Sequence, residues 1–553
     1  MDSFDAIVIG SGISGGWAAK ELTEKGLKTL VIERGRSVEH IKDYPTALLE
    51  DWDLPFRNKL SLEDKNERPI QSEVCDQANK HFFVKDSEHP YIQENPFNWI
   101  RGYQVGGRSL TWGRQCYRFS DIDFDANRRD GIGVDWPIRY ADLEKWYDYV
   151  EEYIGVSGSS EGLKQLPDGQ FLPHIEMNCI ERYFSDRLKE NYNDRKAIVA
   201  RIANLTAPKK GRGQCLYRNR CDRGCPFGGY FSSNSTTLLD AEKTGNLTLL
   251  TEEIVKEITF DPTSKRARGV KTINAKTKTE KEIRARLIFL NASTIASASI
   301  LLNSKCAEHP NGLGNSSDQI GRNLMGHISS KGSLGITKKF LDKNYKGRSP
   351  GALYLPRFQN LDYDTEEFKR GIAFQIKGER QNWKNKNLKG IGISLKEELF
   401  TAGYWTLYIQ GRGEVLPNEE NRVRSSNTEK DQWGIPLATI NFSYGNNELM
   451  LIEEMKKQEE EMLSIAGFEE IRSYSGARTP GSAVHEMGTA RMGRDPRNSV
   501  LNGFNQMHDV PNIFITDGSF MTSSGVQNPS LTYMAATARA CEHAVELLKN
   551  GIL

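Results

Sequence analysis

The chain has 553 residues, too many for a single hydrophobic core, so more than one domain is expected. Its 74 Lys and Arg nearly cancel 73 Asp and Glu, leaving a formal charge of +1 that gives no support for nucleic acid or an anionic membrane as partner. Eight cysteines do not make a disulfide scaffold, and the nearest approach to a membrane span, residues 287–302, is broken by Asn291 and several serines.

Ala6 to Ile9 is a short apolar run that predicts a buried parallel strand. Gly10, Gly12 and Gly15 follow in G-x-G-x-x-G spacing, and Trp17 to Glu24 predicts a helix. The first glycine permits a tight turn, the second lets backbone approach a pyrophosphate, and the third lets helix pack on strand. The anion then rests on the free N–H groups of the helix start. A second strand, Thr29 to Ile32, ends in Glu33, placed to accept a hydrogen bond from a ribose hydroxyl. A carboxylate there repels a 2′-phosphate, which disfavours NADP, but the motif does not separate FAD from NAD. Because the first strand starts at about residue 4, a basic and apolar leader has no room. The expectation is a chain that stays in the cytoplasm or reaches the periplasm with a partner carrying the signal.

Residues 36 to 95 are polar, rich in charge and proline, and read as an excursion over the surface or a lid. Arg101 to Gly113 is a second glycine-rich loop, and Tyr140 to Tyr153 predicts an amphipathic helix. Leu247 to Phe260, Gly269 to Ala275 and Ala285 to Leu290 predict three strands, the last running into an Ala/Ser-rich helix. Beyond residue 331 the stretches Gly371 to Lys377, Ile391 to Leu395, Tyr404 to Gln410 and Leu437 to Phe442 alternate as antiparallel strands do. Glu448 to Ala466 predicts a long helix, Asn512 to Thr516 a buried strand before the Asp517-Gly518 turn, and Leu531 to Leu548 an amphipathic helix.

Several separated motifs, in order, resemble those of the glucose–methanol–choline (GMC) oxidoreductases along nearly the whole chain. They are the Gly10/Gly12/Gly15 fingerprint with Glu33, the loop from Val105 to Gly113, and Gly321 to His327. To these add His485-x-x-Gly-Thr489 with Met492-Gly493, Asp517-Gly518, and Asn528 to Thr532. The resemblance implies an α/β fold: a Rossmann-like FAD-binding domain of GMC type and a discontinuous substrate domain built on an antiparallel sheet. The expected division is 1–45, 96–124, 206–330 and 481–553 for FAD, 125–205 and 331–480 for substrate, and 46–95 as excursion or lid. It also implies FAD rather than NAD. The expected contacts are Gly10, Gly12, Ser14, Gly15, Glu33, Arg34, Gly106, Gly107, Ser109, Thr111, Trp112, Val255, Asp517, Gly518, Asn528, Ser530 and Thr532.

Within the family the chain looks most like bacterial sugar and glycoside dehydrogenases and pyranose-oxidase-like enzymes. Gly413 to Val423 followed by Trp433 to Pro436 is similar to that branch, and a His485/Asn528 pair is typical of it. Where pyranose oxidases carry a histidine bonded to the flavin, this chain has Thr111, so non-covalent FAD is expected. Oxidising an alcohol requires removing a proton from oxygen and a hydride from carbon. A neutral histidine suits the first task and an asparagine can orient the same oxygen, so His485 is read as general base and Asn528 as orienter. His327 is read as structural, near the domain junction.

Cys215, Cys221 and Cys225 share a loop with Arg212, Arg218, Arg220 and Arg223. Two readings stand: iron–sulfur ligation, as in sugar dehydrogenases with a three-iron cluster (3Fe–4S), or packing thiols. The leading function is FAD-dependent oxidation of a ring hydroxyl of a sugar or glycoside, sharpest as C3 of a glucoside, with electrons leaving to a cytochrome c-type or other non-oxygen acceptor. The partners expected are the sugar, a small export subunit and that acceptor. The alternatives are an oxygen-using oxidase of the same substrates and a non-catalytic flavin electron-transfer subunit.

Overall fold

The computed structural model describes residues 3–345, 351–362, 367–381 and 388–553; residues 346–350, 363–366 and 382–387 of the expected substrate range lie outside the described residues, as do the first two of the FAD range. One sheet carries the dinucleotide signature. Ser3–Ile9 lies at its centre, parallel to Thr29–Ile32 on one side and to Glu280–Leu290 on the other, with Leu247–Leu250 beyond Thr29–Ile32. Ala6 to Ile9 and Thr29 to Ile32 are buried on both faces, as their continuous apolar runs require. Ile513–Ile515 joins parallel to the last three residues of Glu280–Leu290. The terminal and central parts of the chain therefore build one sheet. Helices Ile13–Glu24 and Ser530–Lys549 pack on each other beside it.

The stretch expected as one strand over Leu247 to Phe260 is two. Leu247–Leu250 continues the parallel sheet, while Glu253–Asp261 turns into an antiparallel hairpin with Arg266–Asn274. The break falls at Glu252, whose φ of 57° lies in the left-handed region and redirects the chain.

The second sheet is antiparallel throughout. Its order runs Glu469–Ser473, Ser333–Thr337, Trp405–Glu414, Ile372–Arg380, Leu353–Leu355, Ile198–Val199, and His327–Ser329 also pairs with Trp405–Glu414. Its two faces differ. Ile328, Phe374, Ile376, Leu407 and Ile409 are buried on one face, against Leu451, Met455 and Met462 of helix Asn446–Ile465. Gly411 and Gly413 let that helix close in: a Cβ on Gly411 would sit 2.4 Å from Met455 Cγ. The opposite face carries His327, Tyr354, Gln375, Gln410, Arg412 and Glu414, since directly paired residues project to the same side.

Ile391 to Leu395 is not a strand. Ile393–Phe400 is a helix with no buried residue, entered through Gly392 at φ 65°. The alternation there was too short to set a period against the helix-forming Lys396-Glu397-Glu398. Pro436–Asn441 is a strand as expected, but in a separate sheet with Arg422–Lys430 and Ile92–Gln93. Within the 46–95 segment, expected as excursion or lid, Val74, Asn79, Phe83, His89 and Pro90 line the cleft described below. Among the described residues no helix is long and apolar enough to cross a membrane.

Candidate active site

A cleft of about 500 Å³ opens where Ser3–Ile9 and Thr29–Ile32 end, at the carboxyl edge of the parallel sheet. Its wall includes both Glu33 and the His485–Asn528 pair.

The three fingerprint glycines do different work. Gly10, at φ 96°, would place a Cβ 2.5 Å from the Asn291 carbonyl oxygen, and a Cβ on Gly15 would lie 1.9 Å from the Gly10 carbonyl oxygen. These two permit turn and packing. A Cβ on Gly12 would meet nothing within 4 Å, so its hydrogen faces the open cleft. Helix Ile13–Glu24 begins there with no side chain capping it and no acidic residue in its first turn, leaving N–H groups for an anion.

Glu33 Oε2 accepts from Ser11 N at 3.2 Å and Ser11 Oγ at 2.6 Å, and Oε1 accepts from Gly35 N at 2.9 Å. Burial pushes its carboxyl above the usual carboxylate range, though these donors and Arg34 oppose the shift. Oε1 keeps a lone pair for a ribose hydroxyl. Beside it Arg34 stacks over Tyr103 at 4.1 Å and faces Trp433 at 5.6 Å, forming an aromatic wall.

Gly107, Thr111, Trp112, Val255, Asp517, Gly518, Ser14 and Ser530 also line the cleft, as does Ser109. Ser109 Oγ is spent internally, donating to the Gly106 carbonyl at 2.6 Å and accepting from Ser233 N at 3.0 Å. Gly106 packs on Asn234, and Thr532 is buried against the Tyr147 hydroxyl at 2.9 Å; neither is part of the cleft wall, and nor is Gly15. The cradle, the uncapped helix start and the buried acid fit an adenine dinucleotide cofactor.

At the other end, Met325 and Met487 exchange backbone hydrogen bonds at 2.8 and 3.0 Å as an isolated antiparallel bridge. Two residues outward along that register His327 faces His485, and their Nδ1 atoms lie 2.9 Å apart. Asn528 Nδ2 lies 3.3 Å from His485 Nε2, and Asn528 Oδ1 accepts from Gln375 Nε2 at 3.3 Å, which fixes the amide's orientation. His327 Nε2 faces the Ser524 carbonyl at 3.4 Å. A carbonyl only accepts, so His327 carries its proton on Nε2 and presents a bare Nδ1. His485 must then donate from Nδ1, which leaves its Nε2 lone pair toward Asn528 and the cleft. Ser524 is held in place by its N–H donating to Glu414 Oε1 at 3.0 Å.

Both rings are neutral. Burial first, then Arg412, pushes His327 down to about 3. Burial, followed by His327, Arg412 and Arg108, holds His485 well below its ordinary value. His485 is thus held in its neutral form, not balanced near pH 7. Val484, at φ 56°, gives a β-branched residue a strained backbone immediately before it, as occurs at functional sites. Arg108 lines the cleft and pairs with Glu486 at 2.6 Å.

Cys215, Cys221 and Cys225 do not support the iron–sulfur expectation. Among the described residues no three His, Cys, Asp or Glu side chains gather to hold a metal. The loop's arginines serve its fold instead: Arg223 pairs with Asp51 at 2.7 Å, Arg220 with Glu50, Arg218 with the Ala47 carbonyl and Arg212 with the Ile154 carbonyl. Burial raises the Cys221 thiol above its usual value. Cys225 Sγ accepts from Gly229 N at 3.3 Å and Cys215 Sγ from Asn204 Nδ2 at 3.6 Å, contacts of packed thiols.

His327, Gln375 and Arg412 escaped the sequence reading as site residues. Their signal was present as polar residues at alternate positions, such as Gln410, Arg412 and Glu414 with glycines between.

The GMC oxidoreductase family model matches residues 4–329, and its C-terminal companion matches 417–537. The 2-methyl-1,2-propanediol dehydrogenase of Mycolicibacterium austroafricanum is 27% identical over 98% of this chain and 95% of its own length. The fructose dehydrogenase large subunit of Gluconobacter japonicus is 25% identical over 99% of both chains. The solved pyridoxine 4-oxidase of Mesorbium loti superposes with a TM-score of 0.63 over 98% of this chain and 99% of that one, at 16% identity, a likeness of fold. The glycine cradle, the acid at the second strand's end and the neutral histidine in the cleft thus have their place: the chain belongs to the GMC oxidoreductases, FAD enzymes that oxidise CH–OH groups of alcohols and sugars.

Proposed function

We propose that this enzyme oxidises a ring hydroxyl of a sugar or glycoside, in its sharpest form C3 of a glucoside, and passes the electrons to an acceptor other than oxygen. The observation that carries this reading is the His485–Asn528 pair at 3.3 Å, with the His485 lone pair directed into the cleft. Likeness to a fructose dehydrogenase large subunit supports a sugar substrate and, through the word subunit, a protein partner.

FAD supplies the hydride acceptor when bound. The cradle from Gly10 to Ser14, with Glu33 and Arg34, would hold its pyrophosphate and adenosine end. The substrate hydroxyl replaces Asn528 as the neighbour of His485 Nε2 and donates its proton there. Asn528 Nδ2 donates to the same oxygen and fixes its angle, while Gln375 holds Asn528. His327 keeps His485 in the tautomer that can accept. By resemblance Thr111 takes the place of the histidine that links the flavin in pyranose oxidases, so acid precipitation should release the yellow cofactor. A non-catalytic electron carrier would have no use for a base with an open lone pair.

The test is anaerobic mixing of the FAD-loaded protein with glucose, methyl glucoside, fructose and simple diols, followed by flavin absorbance. Bleaching by the sugars, and faster reoxidation by quinones or dyes than by oxygen, is expected. Bleaching by diols alone would overturn the sugar reading, and brisk peroxide formation would make the enzyme an oxidase.

A further inference from the structure

Arg412 projects from the polar face of the antiparallel sheet, the face that also presents Gln375 to Asn528 and His327 to His485. It therefore stands beside the base, on the His327 side of the His485 ring. Its guanidinium has no anion. Among the described residues no carboxylate lies within ion-pair distance of Arg412, and Nε has no hydrogen-bond partner. Nη1 lies 3.5 Å from His485 Nδ1, but that nitrogen carries the proton donated to His327, so two donors face each other and no bond forms.

The surroundings make the shortage worse. The charged and phenolic groups around Arg412 are Arg478, Tyr354, Tyr117 and Tyr408. Arg478 is a second cation without an ion pair among the described residues. The Tyr117 hydroxyl, stacked ring to ring on Tyr354 at 4.0 Å, is buried without a partner, and so is the hydroxyl of Ser329, which pairs with Arg412 across the sheet. Glu414, two residues along on the same face, is turned to Ser524 and Arg370. Buried cations are normally paired, because leaving one unpaired forfeits its solvation for nothing. Two other buried arginines of this chain are: Arg370 meets Asp130 at 2.9 Å and Arg118 meets Glu151 at 2.5 Å. A guanidinium with no anion, beside buried unpartnered hydroxyls that can each donate a hydrogen bond, is complementary to one.

We propose that Arg412, backed by Arg478, receives an anionic substituent of the substrate, so that the preferred sugars carry a carboxylate or phosphate. This rests on the sugar reading above and sharpens it. A planar guanidinium takes a carboxylate through two parallel hydrogen bonds, which would also orient the ring over Asn528 and His485.

The experiment compares matched pairs on the FAD-loaded protein: glucuronate with glucose, methyl glucuronoside with methyl glucoside, and glucose 6-phosphate with glucose. The anionic member is expected to half-saturate flavin bleaching at a concentration at least about 10-fold lower. The carboxylate and phosphate arms show which anion is preferred. Arg412→Gln should bring the ratio within each pair close to one, and Arg412→Lys should keep part of it. Acetate and inorganic phosphate are titrated separately against the oxidised flavin spectrum, a readout that needs no turnover. Neutral sugars bleaching as well as acids, with no anion-dependent spectral change, would overturn the anionic site and leave sugar oxidation standing. Anion binding lost in Arg412→Gln, with no sugar bleaching the flavin, would keep the site and sink the sugar reading. If Arg412→Gln fails to fold, the wild-type ratio still decides.

Discussion

At the Glu33 end of the cleft the buried carboxylate already takes three donors, and the glycines beside it are packed against Asn291 and Gly10. At the His485 end Arg412 Nε and the hydroxyls of Tyr117 and Ser329 have nothing to bond. The first region has its acid and glycine turn already bonded and packed, and keeps a bare helix start for a cofactor that every turnover shares. The second leaves polar groups open, so that its bonds are completed only by substrate. The difference teaches where binding energy is already organised and where it is held for the reacting molecule.

The comparison breaks most visibly at the base. His485→Ala should cut the rate of flavin bleaching by roughly 10²–10⁴-fold while FAD stays bound. Asn528→Ala, which removes one oriented hydrogen bond, should lose about 10–10³-fold. Stopped-flow absorbance reads both. A near wild-type rate for His485→Ala would remove it as base.

His327 tests whether the open end depends on tautomer control. His327→Leu should slow bleaching by roughly 10–100-fold, the scale seen when a histidine loses the partner that orients it. His327→Gln should recover most of that, because its amide oxygen can accept from His485 Nδ1–H and its amide nitrogen can donate to the Ser524 carbonyl. Equal damage from both variants would leave His327 a packing role only.

At the closed end the prediction divides two glycines of one motif. Gly15→Ala forces a Cβ to 1.9 Å from a backbone oxygen and should destabilise the apoprotein by roughly 1–3 kcal/mol. Gly12→Ala meets nothing in the protein, so thermal unfolding of the apoprotein should shift little while FAD retention falls. Loss of stability in both would mean that Gly12 is a packing residue too.

The smallest effects are those of pH, and they separate stability from chemistry. His40 and His81 are pushed down to about 4 and His89 and His327 to about 3, in each case by burial first. Unfolded, the same side chains titrate near about 6.5. Below that pH the unfolded chain binds more protons than the folded one, so the melting temperature should decline as pH falls from about 6.5 toward 4. Burial holds His485 well below its ordinary value, so bleaching per folded molecule should show no inflection near 6.5. An acid limb centred near 6.5 would mean that the base is more solvated than its surroundings suggest.

Much of the closed end was legible in the residues. Strand, glycines, helix and terminal acid lie within Phe4 to Glu33, and local physics suffices to read them: two continuous apolar runs, one turn, one uncapped helix start. His485 and Asn528 were legible only through family motifs. The expected arginine-stabilised thiolates at Cys215, Cys221 and Cys225 misread charge for contact, because Arg218, Arg220 and Arg223 reach the 47–51 segment instead. Sequence spacing gives the distance along a loop and says nothing about which way its side chains turn.

What the sequence determined by itself was the class of cofactor site and the polar–apolar alternation of the middle strands; His485 and Asn528 came as the proposed base and orienter only through family motifs. What only the tertiary structure decided was who faces them. His327 meets His485 because the Met325–Met487 bridge sets an antiparallel register between segments 158 residues apart. Arg412 reaches the base because its strand lies between His327–Ser329 and Ile372–Arg380. Period-two alternation assigns a residue to a face, but only the pairing of distant strands decides what that face confronts.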